Sequence, residues 1–147
     1  MTIEPVVVSQ QVRPRHCDAQ AMVYAGRYHE FCEDAFISWL ENLNVSYGSL
    51  RAQDVDLVIS ESHYSYRRPA RLDDELLIAV TGEMTTESTL TAHFAIRRGG
   101  ELLATAVISY VAVHDGHRCQ LPNGLRDQIP RAAPDAEHAD PPGPGSV

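Results

Sequence analysis

Residues 16–29, which lie before and at the start of a predicted helix, include several side chains that can do acid–base or nucleophilic chemistry. Asp18 carries a carboxylate that can act as a general base or nucleophile, but a single Asp before a helix is also a common turn or capping residue. His16 and His29 could be acid–base groups or metal ligands, although lone histidines are more often surface or packing groups. Glu33, one turn beyond His29, either faces such a site or is a solvated helix position. The residue types alone leave these alternatives open.

A second chemical feature is the backbone at Ala25 and Gly26, where the predicted helix begins. The first N–H groups of a helix have no partner within it, and the helix dipole adds positive potential there. Such amides can donate hydrogen bonds to the oxyanion that forms when a carbonyl is attacked. Asp18 lies upstream on a loop, so a return of the chain could bring its carboxylate to the other side of the same carbonyl.

One long helix and several strands must position these groups. Large or apolar residues recur at helical spacing over residues 27–43, which predicts an amphipathic helix. Alternation or apolar content predicts strands, with a hairpin at residues 98–100, over residues 6–12, 55–59, 62–67, 76–84, 90–97 and 102–113. The order of elements predicts an α+β domain in which the helix covers an antiparallel sheet.

The predicted strand at residues 102–113 is almost continuously apolar. Such a composition is typical of a central strand that is covered on both faces. The single long helix can cover only one face. The second face therefore requires another subunit, or the strand is less buried than its composition implies.

Length and composition limit the class of protein. The chain has 147 residues, of which 44% are hydrophobic and 22% charged, and this predicts one globular domain. A net charge of −8 opposes binding to nucleic acid. No stretch approaches the roughly 20 apolar residues of a membrane helix, and the N-terminus lacks the features of a signal peptide. We therefore expect a cytoplasmic protein with no nucleic-acid or membrane partner.

The cysteines and the C-terminal segment are two further features of the composition. The three cysteines, Cys17, Cys32 and Cys119, are widely spaced without a CxxC pair, so they suggest small buried residues and neither disulfides nor a zinc site. Residues 130–147 are rich in proline and contain no large apolar residue before Val147. They predict a disordered tail that follows a domain of residues 1–129.

Two motifs stand in a fixed order around the predicted helix. The first is an Asp, small residues, Val-Tyr and a Tyr that begins the helix: Asp18, Val23, Tyr24 and Tyr28. The second, over residues 66–76, is a Tyr, two residues, Pro-Ala, and then Asp before an apolar strand. Together they resemble the hotdog-fold acyl-CoA thioesterases of the 4-hydroxybenzoyl-CoA thioesterase type, over about residues 5–115.

This resemblance implies a hotdog fold, in which one long helix is wrapped by a five- to six-stranded antiparallel sheet. It implies active sites at the interface of a homodimer, which can pair into a homotetramer. The implied reaction is hydrolysis of an acyl-CoA or acyl-carrier-protein thioester without a metal or cofactor. Asp18 is then the general base or nucleophile, and the Ala25 and Gly26 amides are the oxyanion donors. The expected substrate contacts near the helix are Tyr24, Tyr28, His29 and Glu33.

A basic cluster could meet the phosphates that coenzyme A or a phosphopantetheine arm would bring. An acidic protein needs a local patch for this purpose, and arginine suits phosphate through its planar fork. The candidates are Arg67, Arg68 and Arg71 around Pro69, with Arg97 and Arg98 next. The alternative is that these are ordinary solubilising arginines on an edge.

The sequence departs from the family pattern at two positions, and three rival functions stay open. Many members have Gly where Ala21 stands and a polar residue where Ala25 stands; the change at Ala25 keeps the backbone donor but removes a possible second ligand. This loss favours a non-catalytic acyl-binding protein as one rival. An acyl-carrier-protein thioesterase is the second. A hydratase or dehydratase is the third, although only His16 lies near Asp18 to form the Asp–His pair that such chemistry needs.

Overall fold

The computed structural model describes residues 4–133 and shows a single antiparallel sheet beside one long helix. The strands are β1 (Val6–Gln11), β2 (Asp56–Tyr66), β3 (Glu75–Thr86), β4 (Thr89–Arg98), β5 (Glu101–His114) and the short β6 (His117–Arg118). The helices are α1 (Arg27–Asn42), α2 (Tyr47–Ala52) and α3 (Asn123–Arg126), and a 3-10 turn spans Pro14–His16. The strand order is β1-β3-β4-β5-β2, with β6 paired to the end of β5. The predicted α+β arrangement of one long helix on an antiparallel sheet is confirmed.

The apolar face of α1 packs into the sheet, as its periodicity predicts. Its buried residues are Tyr28, Phe31, Cys32, Ala35, Phe36, Trp39 and Leu40. Phe36 stacks on Tyr110 of β5 with ring centroids 4.1 Å apart. Trp39 lies against the backbone of Gly82 in β3, so closely that a Cβ there would stand 2.5 Å from the Trp39 Cη2 atom. No helix in residues 4–133 has the length and apolar character needed to cross a bilayer.

Strand β2 is one continuous strand, and the prediction of two strands over residues 55–59 and 62–67 is wrong in this respect. Its pairing with β5 shifts register between Ile59 and Glu61. A bulge inserts an extra residue and so breaks the alternation of faces that predicts a strand from sequence. The break in the pattern therefore marks a bulge within one strand rather than the end of a strand.

Strand β5 lies between β4 and β2, with only its inner face covered within this chain. On that inner face Ala104, Ala106 and Ile108 are buried, whereas Val107 on the outer face is 37% exposed. Residues 4–133 therefore leave the outer face partly exposed, and a second subunit that covers it stays a prediction.

The segment after β6 packs against the core, and no helix or strand was predicted for it. Leu121, Leu125 and Ile129 are buried. The Met84 amide donates to the Pro130 carbonyl at 2.8 Å, and the Ala132 amide donates back to the Met84 carbonyl at 2.7 Å. The predicted start of the tail at residue 130 is therefore too early, and the rest of that prediction, from residue 134, lies outside the described residues.

Candidate active site

Asp18 begins a tight turn that runs up to Met22. Its Oδ1 accepts hydrogen bonds from the backbone N–H groups of Gln20, at 2.8 Å, and Met22, at 3.4 Å. The Asp18 amide donates to the Met22 carbonyl at 2.9 Å, and Ala21 has a φ of 58°. That left-handed conformation is easier for glycine, which explains why Gly suits this position. Asp18 is exposed, and its Oδ2 has no hydrogen-bond partner within residues 4–133.

The backbone amides of Ala25 and Gly26 lie at the start of α1, where the sequence places them. Neither N–H donates a backbone hydrogen bond within the described part of the chain, whereas the neighbouring amides of Tyr24 and Arg27 do. The Tyr24 amide donates to the His16 carbonyl at 3.0 Å and so fixes the approach to the helix. The Tyr24 side chain is 62% exposed, and its ring lies over Gly26. Within residues 4–133, two unpaired donors therefore stand on exposed residues at the positive end of the helix.

The two motifs that carry the resemblance meet in space. The Val23 amide donates to the Ala70 carbonyl at 2.9 Å, and the Leu72 amide donates to the Ala21 carbonyl at 3.0 Å. Met22 and Arg71 form an isolated antiparallel bridge. The loop that contains Pro69 and Ala70 thus forms one side of the Asp18 turn, and Arg71 stands beside that turn.

Aromatic side chains line the junction between the first turn of α1 and the end of β2. Tyr28 is buried, its hydroxyl accepts a hydrogen bond from the Ala70 amide at 3.2 Å, and burial raises its pKa. Its ring packs edge-on against Tyr66, at 5.2 Å between centroids, and Tyr66 stacks on Tyr64 at 6.1 Å. His29 Nδ1 lies 2.7 Å from the Tyr64 hydroxyl. Tyr64 was not among the predicted site residues; the alternation of Tyr64 and Tyr66 on one strand face was the signal that could have found it.

His16 is a packing residue, as the alternative interpretation of lone histidines states. It is buried, it packs edge-on against Phe31 at 5.0 Å, and its Nδ1 accepts from the Arg13 amide at 2.9 Å. Burial, together with the positive charges of Arg15 and Arg27, lowers its pKa. The ring is therefore held neutral and shapes the chain before Asp18.

Glu33 is exposed on the next turn of α1 and has no hydrogen bond to the Asp18 turn within residues 4–133. It lines an open polar depression between β1, the 3-10 turn and α1, together with Gln10, Arg15, His16, Arg27, Glu30, Phe31 and Asp34. The depression does not include Asp18, Ala25 or Gly26. Residues 4–133 contain no group of three His, Cys, Asp or Glu side chains that could hold a metal ion.

The predicted basic cluster is exposed, but its members differ in their partners. Arg68 pairs with Glu101 at 3.1 Å, and Arg98 is held by Asp74 and Glu101 at 2.7 and 2.6 Å. Within the described residues, the side chains of Arg67, Arg71 and Arg97 form no ion pair. The charges free to meet a phosphate within the described residues are thus those of Arg71 beside the turn, Arg67 at the end of β2 and Arg97 on β4.

Comparison with known proteins gives a consistent family assignment. The model of the thioesterase-like superfamily matches residues 12–129. A 1,4-dihydroxy-2-naphthoyl-CoA hydrolase of Synechococcus is 28% identical over 134 residues, covering 85% of this chain and 90% of that protein. The long-chain acyl-CoA thioesterase FadM of Escherichia coli is 30% identical over 107 residues, covering 70% of this chain and 79% of that protein.

A solved structure of a thioesterase has the same fold. The 1,4-dihydroxy-2-naphthoyl-CoA thioesterase from Synechocystis superposes with a TM-score of 0.80 at 22% sequence identity, over 85% of this chain and 95% of that one. The predicted hotdog fold is therefore confirmed. The predicted thioester hydrolase class is confirmed at the level of the family, because the named relatives are thioesterases.

Proposed function

Because the chain belongs to the thioesterase-like superfamily, we propose that it hydrolyses acyl-CoA thioesters, with Asp18 as the reacting carboxylate. One observation carries the proposal. Asp18 and the amides of Ala25 and Gly26 belong to one short segment, which hydrogen bonds hold against the start of α1. Within residues 4–133, the Asp18 Oδ2 atom and both amides have no hydrogen-bond partner. A carboxylate beside oxyanion donors is the arrangement that acyl transfer to water requires. The CoA carrier is taken from the names of the two relatives.

The reaction follows from these groups in two steps. Asp18 takes a proton from water as the water oxygen bonds to the thioester carbon, or its own oxygen bonds there first and water later releases the acid. Negative charge develops on the carbonyl oxygen, and the amides of Ala25 and Gly26 donate hydrogen bonds to it. In the general-base route the C–S bond then breaks and the leaving thiolate takes the proton that Asp18 removed from water. In the nucleophilic route the C–S bond breaks first, the thiolate is protonated by solvent, and water then hydrolyses the anhydride on Asp18. Tyr24, which is 62% exposed at the same helix end, provides apolar area for the acyl group, whereas Tyr28 is buried and supports the Ala70 loop through its hydroxyl instead of contacting substrate as predicted.

A substrate panel tests the proposal and narrows the acyl group. Aryl, medium-chain and β-keto acyl groups should be offered both on coenzyme A and on an acyl carrier protein, with thiol release as the signal. Measurable kcat/KM on at least one CoA thioester supports the proposal. Turnover confined to the carrier-protein forms would replace it with the carrier-protein alternative.

We further propose that the working unit is a homodimer joined along β2, from which a homotetramer can be built. β2 has 11 residues, lies at the edge of the sheet and, within residues 4–133, pairs with β5 alone. Val58 and Ile59 on this strand are 49% and 40% exposed. A long edge strand with an unpaired row of backbone groups is a template for pairing with another chain. A second copy would also cover one side of the Asp18 site, which is exposed in the single chain.

A charge placed on this edge should break the assembly. Val58→Lys and Ile59→Lys are each expected to give an apparent mass near one 16.3 kDa chain in light scattering, with loss of thioester hydrolysis. Val7→Lys is the matched control, because Val7 is 57% exposed on β1 at the opposite edge of the sheet. A monomeric wild type with full activity, or dissociation caused by Val7→Lys alone, would contradict the proposed interface.

Arg67 and Arg71 are the proposed contacts for the phosphates of coenzyme A. Arg67→Ala should raise KM by about twofold to fivefold with kcat little changed, because an exposed charge pair is worth little and acts equally in ground and transition states. The effect should shrink at high salt. Arg51→Ala is the control, since Arg51 pairs with Asp56 at the far end of β2. An unchanged KM at low salt would move the phosphate site to Arg71 or Arg97.

A further inference from the structure

The hydrogen bond between His29 and Tyr64 joins the helix start to the edge strand. His29 Nδ1 lies 2.7 Å from the Tyr64 hydroxyl, and the two rings meet edge-on with centroids 6.4 Å apart. Both side chains are half-buried. A short bond of this kind fixes the orientation of the imidazole, so the remaining ring nitrogen has a defined direction.

The 2.7 Å contact fits either histidine tautomer, and we take the one in which the phenol donates to Nδ1. Burial raises the pKa of Tyr64, so its hydroxyl keeps its proton at neutral pH. Within residues 4–133 the hydroxyl has one hydrogen-bond partner, His29 Nδ1. A neutral imidazole has one donor and one acceptor nitrogen. When Nδ1 accepts from Tyr64, the ring proton lies on Nε2, which has no partner in the described residues.

The position of His29 on the helix brings this donor to the reacting groups. Gly26 is the N-cap of α1 and Ala25 precedes it, so His29, the third residue of the helix, lies in the turn that directly follows these two amides. Side chains in a helix lean toward its N-terminus. The imidazole therefore leans over the turn whose Ala25 and Gly26 amides are unpaired.

We propose that His29 is a third hydrogen-bond donor to the thioester carbonyl oxygen, through Nε2–H, and that Tyr64 is the positioning residue that holds the imidazole in this tautomer. The inference rests on the proposed hydrolysis at Asp18 and adds a side-chain donor to the two backbone donors. The bond strengthens as negative charge develops on the oxygen, so it acts mainly on kcat. No proton leaves His29 in the step.

Four variants separate this role from a structural one. His29→Leu removes the donor and should lower kcat by about tenfold, below the 10²–10³-fold cost of a fully enclosed oxyanion donor because His29 is half-exposed. His29→Gln places an N–H near the Nε2 position and should restore most of kcat. Tyr64→Phe keeps the ring but frees the imidazole, and should lower kcat by a smaller factor. Tyr47→Phe, another half-buried phenol, on α2, should leave kcat unchanged.

Nitrogen NMR of the His29 ring gives a readout that packing alone would not change. The wild type should show protonated Nε2 and unprotonated Nδ1 at neutral pH, and Tyr64→Phe should show a mixture of tautomers. A proton on Nδ1 in the wild type would overturn the inference, as would equal kcat in His29→Leu and the wild type. If the wild type hydrolyses a CoA thioester that Asp18→Asn does not, while His29→Leu is unimpaired, only this inference fails. If the wild type hydrolyses none, the proposed function fails and takes the inference with it.

Discussion

Asp18→Asn should lower kcat for thioester hydrolysis by about 10²–10⁴-fold, the usual contribution of a general base. The substitution removes the negative charge while the amide oxygen can still accept from the Gln20 and Met22 amides. The turn, circular dichroism and melting temperature should therefore match the wild type. Substrate binding should persist, because the carboxylate acts in the transition state.

Asp18→Ala is the informative companion, since it removes both the charge and the turn acceptor. We expect it to lower kcat as Asp18→Asn does, and in addition to lower the melting temperature. A residue that served only the turn would behave differently: Asp18→Asn would then keep wild-type kcat and only Asp18→Ala would be affected. More than about a tenth of wild-type kcat in Asp18→Asn, outside the range for a general base, would remove Asp18 from the mechanism.

Gly82→Ala should destabilise the fold by about 1–3 kcal/mol, the usual cost of overpacking a core. An added Cβ would stand 2.5 Å from the Trp39 Cη2 atom and 2.6 Å from Cζ2, and Trp39 is fully buried, so the ring has little room to move. The loss should appear as a lower midpoint in urea with an unchanged m-value. Gly100→Ala is the matched control, because nothing lies within 4 Å of its Cβ position.

A double-mutant cycle assigns the loss to this contact. Trp39→Phe removes the indole atoms that approach Gly82, at the cost of a cavity. The double variant should then be more stable than the sum of the two single losses predicts. Additive losses, or equal stability of Gly82→Ala and Gly100→Ala, would show that the close approach in β3 does not limit the core.

The sequence was most informative where local pattern and local geometry coincide. The helix over residues 27–43 was predicted to within a residue of α1, because its apolar spacing depends only on neighbours along the chain. The placement of unpaired amides at Ala25 and Gly26 followed from that helix start. The contact between the two motifs, through Val23 and Ala70, could be expected from the resemblance alone, since nothing in either segment encodes it.

Shorter elements were missed for physical reasons. α2 has only six residues, too few for a periodic signal, although Ser46 and Ser49 form a reciprocal cap at its start. The bulge in β2 interrupts the alternation of faces between Ile59 and Glu61, so one strand reads as two in the sequence. The segment that holds Leu121, Leu125 and Ile129 is stabilised by the core it covers rather than by its own pattern.

Contacts between residues distant in sequence were beyond local inference. His29 and Tyr64 are 35 positions apart, and their hydrogen bond depends on how β2 lies against α1. The residue types alone left His29 open as an acid–base group or metal ligand, and favoured a surface or packing role. Similarly, the arginines of residues 67–71 looked equivalent, whereas pairing with Glu101 sets Arg68 apart from Arg67.

Simultaneous measurement of free thiol and free acid, with purified wild-type protein and an acyl-CoA panel, is the decisive test of thioester hydrolysis. Thiol-trapping dye and chromatography of the acid should report equal amounts of both products, and Asp18→Asn should abolish both together. A hydratase or dehydratase would change the acyl chain without releasing thiol, and an acyl-binding protein would bind the thioester without either change. Either of these outcomes, across substrates that the protein demonstrably binds, would contradict thioester hydrolysis at Asp18.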